Sequence, residues 1–188
     1  MDVNPNTEIK RNKKKSFIGI IVFAIVLIAV MCGTYYFSHN YLVIYPVKGQ
    51  SMENTIHDGE NVILFKTTKV KYDDIIVFYV PDENRYLIKR VIGLAGDEIE
   101  IKYSYDDSLY HVYRNGAILS EEYIYEPMDK VYTEMKVVVP EGKVFFLGDN
   151  RLDSYDSHVG NFYADVNQIQ GVADRKSTRL NSSHPSRS

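Results

Sequence analysis

The longest run of apolar positions lies near the start of the chain. Residues 17–37, FIGIIVFAIVLIAVMCGTYYF, are 21 residues without a charge. A helix of this length reaches about 30 Å, the thickness of the hydrocarbon core of a bilayer. Tyr35, Tyr36 and Tyr41 cluster at its far end, where an aromatic belt would lie. The pattern predicts a single transmembrane anchor.

Two other structures also produce an apolar run. A cleaved signal peptide has a shorter apolar region, roughly 7–15 residues, and a small-x-small cleavage site, which residues 31–36 do not match. A buried core helix would need covering segments on all sides, which the sequence lacks, so an uncleaved anchor is favoured. Five basic residues precede the anchor: Lys10, Arg11, Lys13, Lys14 and Lys15. By the positive-inside rule, they predict that the N-terminus lies in the cytoplasm and that the chain after the anchor lies outside.

After residue 38 the apolar positions come in short runs rich in β-branched and aromatic residues, separated by turn signals. Asn115-Gly116 is a two-residue hairpin signal. A helical period is weak and confined to residues 160–170, so the fold is predicted to be mainly β behind one N-terminal helix. Seven strands are predicted, over residues 61–66, 74–80, 86–94, 98–103, 109–116, 136–139 and 143–148.

The composition changes along the chain predict its organisation. A basic N-terminus (1–16) and the anchor (17–37) are followed by a β-rich domain (38–175). Within it, residues 103–135 are rich in Tyr and acidic residues and are predicted to be an inserted subregion or long loops. Residues 176–188 have no acidic residue and one apolar residue, which predicts a disordered tail and is typical of vector or adaptor sequence.

Charge and cysteine content narrow the functional classes. The net charge is −3, but residues 38–174 carry 13 Lys and Arg against 23 Asp and Glu. This acidic balance argues against a nucleic-acid partner. The one cysteine, Cys32, lies inside the anchor, so neither an intrachain disulfide nor a cysteine-based metal site can form.

A serine lies shortly after the anchor, in KGQSMENTI. Ser51 could be a nucleophile only with a base within hydrogen-bond reach, and a plain surface serine beside a core-filling Met52 also fits. No histidine has the companion pattern of a Ser-His-Asp triad, although spacing alone does not exclude one. The five histidines are His39, His57, His111, His158 and His184.

Lysine is the other candidate base. An exposed lysine titrates near about 10.4, but burial among apolar groups lowers the pKa of the amine. In YLIKRVIGL, Leu87 and Val91 would share a strand face with Lys89. A buried base and a plain outward charge both fit, and periodicity alone favours the outward charge.

Residues 145–160, FFLGDNRLDSYDSHVG, form a third stretch, dense in small polar residues. A calcium loop is disfavoured because the carboxylate ladder and terminal Glu of the EF-hand are missing. A long capped turn fits the pattern, and so does a polar loop that orients a catalytic lysine.

These three stretches, in this order behind an anchor, resemble the type I signal peptidases, especially the short Gram-positive form. Residues 49–55 match the serine motif G-x-S-M-x-P-T, and residues 89–97 match the lysine motif K-R-V-I-G-L-P-G-D. Residues 148–158 match G-D-N-R-x-x-S-x-D-S-R. The resemblance spans about residues 15–175.

The resemblance implies an external all-β catalytic domain of the signal-peptidase and LexA-like fold. The implied activity is that of a serine endopeptidase, which removes signal peptides from secreted preproteins after small residues near the outer membrane face. The implied partners are preproteins, the lipid bilayer and the secretion translocon. The resemblance implies no cofactor and no metal.

The family's roles carry over by position. Ser51 would be the acylating nucleophile, its backbone N–H would be part of the oxyanion hole, and Lys89 would be the general base. Ser154 would orient the lysine amine, and Met52 would contact substrate. Some members carry an oxyanion-hole hydroxyl where this chain has Gly49. Two ionic pairs would support the site: Arg90 with Asp149, and Asp156 with His158.

Three positions depart from the family's motifs. Asn54 and Ala95 replace prolines, which affects the unfolded chain more than the chemistry. His158 replaces an arginine, and because histidine loses its charge near neutrality, activity should fall more steeply above neutral pH than with arginine there.

Two functions other than signal-peptide cleavage compete with this interpretation. A self-cleaving repressor would need a DNA-binding N-terminus instead of an anchor. A membrane-tethered binding or scaffold protein with a degenerate peptidase site stays an alternative, because a binding protein could keep the anchor and the fold while its motifs lost residues.

Overall fold

The computed structural model describes residues 5–129, 134–159 and 162–173, with side chains from residue 17 onward. Two units separate at residue 41: Met1–Tyr41 and Leu42–Ser188. The predicted tail at 176–188 lies outside the described residues, as do the side chains of the basic N-terminus.

The first unit is one helix, α1, over Pro5–Tyr41. Its segment Phe17–Tyr41 is 25 residues long, is apolar and has none of its surface buried within the molecule. The few polar side chains in the segment are satisfied locally: the hydroxyls of Thr34 and Ser38 donate to carbonyls one turn back, which suits an apolar environment. The predicted N-terminal apolar helix is confirmed, and it continues to Tyr41.

The described residues of the second unit form eleven strands in two antiparallel sheets. The larger sheet has the order β1-β2-β11-β3-β4-β9-β10, and the smaller one has the order β7-β6-β5-β8. The strands are β1 Leu42–Pro46, β2 Asn61–Phe65, β3 Ile75–Val80, β4 Arg85–Leu94, β5 Glu98–Ser104, β6 Leu109–Arg114, β7 Ala117–Ile118, β8 Met135–Val138, β9 Lys143–Leu147, β10 Ala164–Asp165 and β11 Ile169–Ala173.

All seven predicted strands are present, which confirms the mainly β fold. The hairpin between β6 and β7 turns at Asn115 and Gly116, whose φ angles are +53° and +79°, as a two-residue turn of this type requires. The weak helical period at 160–170 is wrong as a helix: its described part contains a three-residue 3-10 turn, Val166–Gln168, between two strands.

Residues 103–135 contribute to the smaller sheet rather than to loops alone. Its central strand β5 pairs with β6 on one side and with β8 on the other. Ile99, Ile101 and Val112 project from this sheet into a buried cluster that also contains Ile92 of β4 and Phe145 of β9. The two sheets therefore share a core.

Candidate active site

Ser51 lies on a loop that joins β1 to β2. Two backbone hydrogen bonds close the base of this loop: Val47 N donates to Glu60 O at 2.8 Å, and Gly59 N donates to Val47 O at 3.0 Å. Met52 and Ile56 have no exposed surface and pack in the core cluster beneath the loop. The structure therefore favours packing of Met52 in the core over the predicted contact with substrate.

The backbone just before Ser51 is tethered to the same loop. Gly49 has a φ of +95°, a conformation that glycine adopts without a Cβ penalty. Its N–H donates to the carboxylate of Asp58 at 2.7 Å. The Ser51 N–H makes no hydrogen bond to any described residue, so it is available to a ligand, whereas the Gly49 N–H is occupied.

Lys89 lies in the middle of β4 and is 2% exposed. Burial disfavours its ammonium form and lowers its pKa to about 8. The Asp156 carboxylate opposes this shift and the Arg85 guanidinium adds to it. Lys89 makes no hydrogen bond or ion pair within the described ranges. The outward-facing lysine favoured by periodicity is therefore wrong.

Ser154 lies on the loop after β9, and its hydroxyl oxygen is buried without a hydrogen-bond partner in the described part of the chain. The predicted bond from Ser154 to Lys89 is thus not formed. A Cβ at Gly148 would lie 2.2 Å from Ser154 Oγ and 2.5 Å from the Ser51 carbonyl oxygen. The two serines therefore meet across a glycine that has no room for a side chain.

Asp149 joins the serine loop to the lysine strand. Its fully buried carboxylate accepts Arg90 Nε at 2.7 Å and also accepts Arg90 Nη2. The Thr55 hydroxyl donates to the same carboxylate. The Arg90 guanidinium stacks 3.9 Å from the ring centre of Tyr123. Of these contacts, the sequence predicts the Arg90–Asp149 pair; Thr55 is part of the serine motif, and Tyr123 lies in a stretch without a motif.

Asn150 holds the nucleophile's own peptide segment. Its N–H donates to the Ser51 carbonyl at 3.1 Å, and its side-chain amide donates to the Gln50 carbonyl at 3.2 Å. Asn150 belongs to the third motif, but its role could not be read from spacing. The polar stretch therefore clamps the serine loop directly.

Asp156 supports the start of the same stretch. One carboxylate oxygen accepts the Gly148 N–H at 2.9 Å, and the other contacts the His158 ring nitrogen. The predicted pair of Asp156 and His158 is thus brought together, with Asp156 fully buried. Its main visible effect is to fix the backbone at Gly148.

Arg151 forms a buried ion pair that the sequence does not predict. Its guanidinium binds the carboxylate of Glu121, with side chains 0% and 8% exposed, and its Nε donates to the Gly148 carbonyl at 3.0 Å. Glu121 lies in the weakly patterned region, which offers no motif for finding it. The pair connects that region to the polar stretch.

A groove of about 360 Å³ opens beside Ser51. One wall comes from the end of β1 and the residues that follow it, and the other from the start of β4, Arg85 to Ile88. The rings of Tyr45 and Tyr86 lie 5.1 Å apart across it. The groove thus ends at the candidate nucleophile and is lined by the strand that leads into Lys89.

The sequence is similar to known proteins over most of its length. Residues 14–176 match the family model described as signal peptidase, peptidase S26. Signal peptidase I of Bacillus licheniformis is 34% identical over 176 residues, covering 87% of this chain and 88% of that protein. Signal peptidase I U of Bacillus subtilis (strain 168) is 35% identical over 162 residues, covering 79% and 81%. A solved signal peptidase I from Enterococcus faecalis V583 is 31% identical, covers 55% of this chain and 96% of its own, and has a TM-score of 0.44.

Proposed function

The chain belongs to the signal peptidase family, peptidase S26, and from this premise we propose that Ser51 and Lys89 carry its reaction. As a signal peptidase I relative it is a membrane-anchored serine endopeptidase that removes signal peptides from preproteins. The residue roles, the cleavage position and the topology below are the proposed part.

The observation that carries the proposal is the burial of Lys89 in β4, which lowers its pKa. A lysine with a pKa of about 8 is neutral in about a quarter of molecules at pH 7.5, whereas an ordinary lysine is neutral in about one in a thousand. Only the neutral amine can take a proton from a serine hydroxyl. Burial in β4 therefore turns a poor base into a usable one.

The reaction then has two steps. Lys89 Nζ takes the proton of Ser51 Oγ as that oxygen attacks the scissile carbonyl carbon, and the same proton passes to the leaving amine of the mature protein. The signal peptide stays as an ester on Ser51. Lys89 next takes a proton from water, which hydrolyses the ester and regenerates the serine. The free N–H of Ser51 is suited to bind the oxyanion in both steps.

Ser154 acts as a positioning residue for the amine. Its hydroxyl is buried without a partner among the described residues, and such groups are costly unless a hydrogen bond is made at some stage. A hydrogen bond between the Lys89 amine and this hydroxyl would satisfy both groups. The ionic joint of Arg90 and Asp149 would hold the two catalytic segments in register, and the Asp156–His158 pair would hold the Gly148 backbone.

The substrate lies extended in the groove beside Ser51. β1 is an edge strand of the larger sheet, and an edge can pair with an added peptide strand. The scissile bond then follows small residues of the signal peptide. The basic N-terminus would stay in the cytoplasm while the β domain acts outside, with the bilayer and the secretion translocon as further partners.

The test uses the full-length chain in detergent with a purified preprotein. Ser51→Ala and Lys89→Ala should each abolish cleavage, whereas the matched controls Ser104→Ala and Lys69→Ala, at positions that do not line the groove, should cleave as the wild type does. If wild type and both site variants are equally inert, the non-catalytic binding or scaffold function is the better account. Cleavage that survives in either site variant contradicts the assigned roles.

A further inference from the structure

Two cations line the groove beside Ser51, and its lining contains no acidic residue. Lys48 lies three residues before the nucleophile, and Arg85 begins β4. The surrounding domain is acidic overall, so the charge of the groove is opposite in sign to the net charge of the domain.

The two cations differ in how far they are neutralised. Lys48 is exposed and makes no hydrogen bond or ion pair to any residue in the described ranges. Arg85 pairs with Glu83 through Nε and Nη2 and lies 5.7 Å from the centre of the Tyr155 ring. Arg85 keeps Nη1 for another partner, while Glu83 competes for its charge.

The strand geometry relates these cations to the scissile bond. Arg85 is four residues before Lys89 along β4, a distance of about 13 Å at about 3.3 Å per residue. Because the proposed reaction places the scissile bond beside Lys89, a peptide strand in the groove along the start of β4 would bring a side chain about four residues away close to Arg85. Lys48, nearer to Ser51, would meet a side chain closer to the bond.

We propose that Lys48 and Arg85 form an acid-selective subsite, which favours preproteins that carry an Asp or Glu side chain within about four residues of the scissile bond. This proposal rests on the peptidase function above and adds to it the chemistry of the preferred substrate. Exposed ion pairs are weak, so each contact should change kcat/KM by roughly two- to fivefold. Because such pairs are screened, the preference should largely disappear at about 1 M salt.

The experiment compares peptides that differ at one position. The full-length chain in neutral detergent cleaves a signal-peptide substrate in which each of the four residues on either side of the scissile bond, except the small ones required for cleavage, is in turn Glu, Gln or Lys. The readout is the ratio of kcat/KM for Glu over Gln. This ratio cancels any effect of Arg85 on the proton affinity of Lys89.

Four variants give the expected pattern. At one or two positions the wild-type ratio of kcat/KM for Glu over Gln should be about two to five. Lys48→Glu should invert it at the nearer position, Arg85→Gln should remove it at the farther one, and Glu83→Gln should increase it there. Lys69→Glu makes the same change of net charge outside the groove and should leave all ratios unchanged.

The two proposals fail in different ways. If the neutral Gln peptides are cleaved and Ser51→Ala abolishes this, but the wild-type ratio is one at every position, the acid-selective subsite is overturned and the peptidase function stands. The subsite is also overturned if Lys69→Glu changes the ratios as much as Lys48→Glu does. If no peptide is cleaved by the wild type, the proposed function fails, and the subsite fails with it.

Discussion

Replacing the buried Lys89 with methionine should make the protein more stable and inactive. Methionine has a similar length and no charge, so it can fill the same space in β4. The structure keeps the lysine 2% exposed and without an ion pair in the described residues. Its ammonium form therefore destabilises the folded state. Methionine removes this destabilisation and also removes the base.

The size of this effect follows from the pKa of Lys89. The ordinary value is 10.5, and burial lowers the pKa to about 8 in the folded protein. Between these values the unfolded lysine binds a proton that the folded one lacks, so stability rises as pH rises through this range. Each pKa unit is worth about 1.4 kcal/mol. Below pH 8 the full penalty, about 3 kcal/mol, applies, and by pH 10.5 most of it is gone.

The assay is urea unfolding of full-length wild type and Lys89→Met in detergent, followed by tyrosine fluorescence at pH 7 and pH 10.5. At pH 7 the variant should be more stable by about 3 kcal/mol, which corresponds to a rise of roughly 6–12 °C in Tm for a chain of this size. At pH 10.5 the difference should fall below about 1 kcal/mol.

The control for this prediction is Lys69→Met, at an exposed lysine, which should change stability little at either pH. A variant that is less stable than the wild type at pH 7 would refute the reasoning. So would a gain of the same size at both pH values, because it would then come from packing rather than from the charge.

Three further predictions concern the groups that support the site. Gly148→Ala should abolish cleavage and lower stability, because its Cβ would meet Ser154 Oγ at 2.2 Å; activity and Tm measured together would check this, and a fully active variant would contradict it. Asp149→Asn leaves Arg90 buried without a charged partner, so urea unfolding should show a loss of about 3–5 kcal/mol; a loss below about 1 kcal/mol would mean that the joint is not structural. His158→Arg places a permanent guanidinium beside the buried Asp156 carboxylate, so the variant should keep more of its activity above neutral pH than the wild type does. A ratio of wild-type to variant activity that stays constant as the pH is raised would refute this.

The fold could be predicted from the sequence where short runs of β-branched and aromatic residues end at clear turn residues. The strands of the β3–β4 hairpin and the Asn115-Gly116 turn are of this kind, because local chemistry alone specifies them. β10 and β11 have no such signal: β10 is two residues long, and β11 includes Gln170 and Gly171, whose strand conformation depends on pairing with β2 and β3. Tertiary contacts decide these short elements, and a single sequence does not display them.

In the candidate site, too, some features could be predicted from the sequence and others depend on tertiary contacts. Motif spacing led to Ser51 and Lys89, but the burial of Lys89 could not be derived from periodicity, because alternation leaves open which strand face is covered. Lys89 pairs with Ile76 of β3, and the pairing of β4 with β9 begins one residue later, at Arg90; the side chain is covered by what packs on its face of the strand, which a single sequence does not display. Glu121 has no sequence signal for a related reason: its ion pair forms with Arg151, 30 residues away.

The Asp149 carboxylate links the loop that carries Ser51 to the strand that carries Lys89. Neither side chain holds the other by a hydrogen bond among the described residues; instead, Asp149 binds Thr55 on the serine loop and Arg90 beside the base. A direct bond to an ammonium would raise the pKa of Lys89 and weaken it as a base. Asp149 still raises the pKa of Lys89 through its charge, but less than burial lowers it. The buried ion pair therefore links the two segments without a direct hydrogen bond to Lys89.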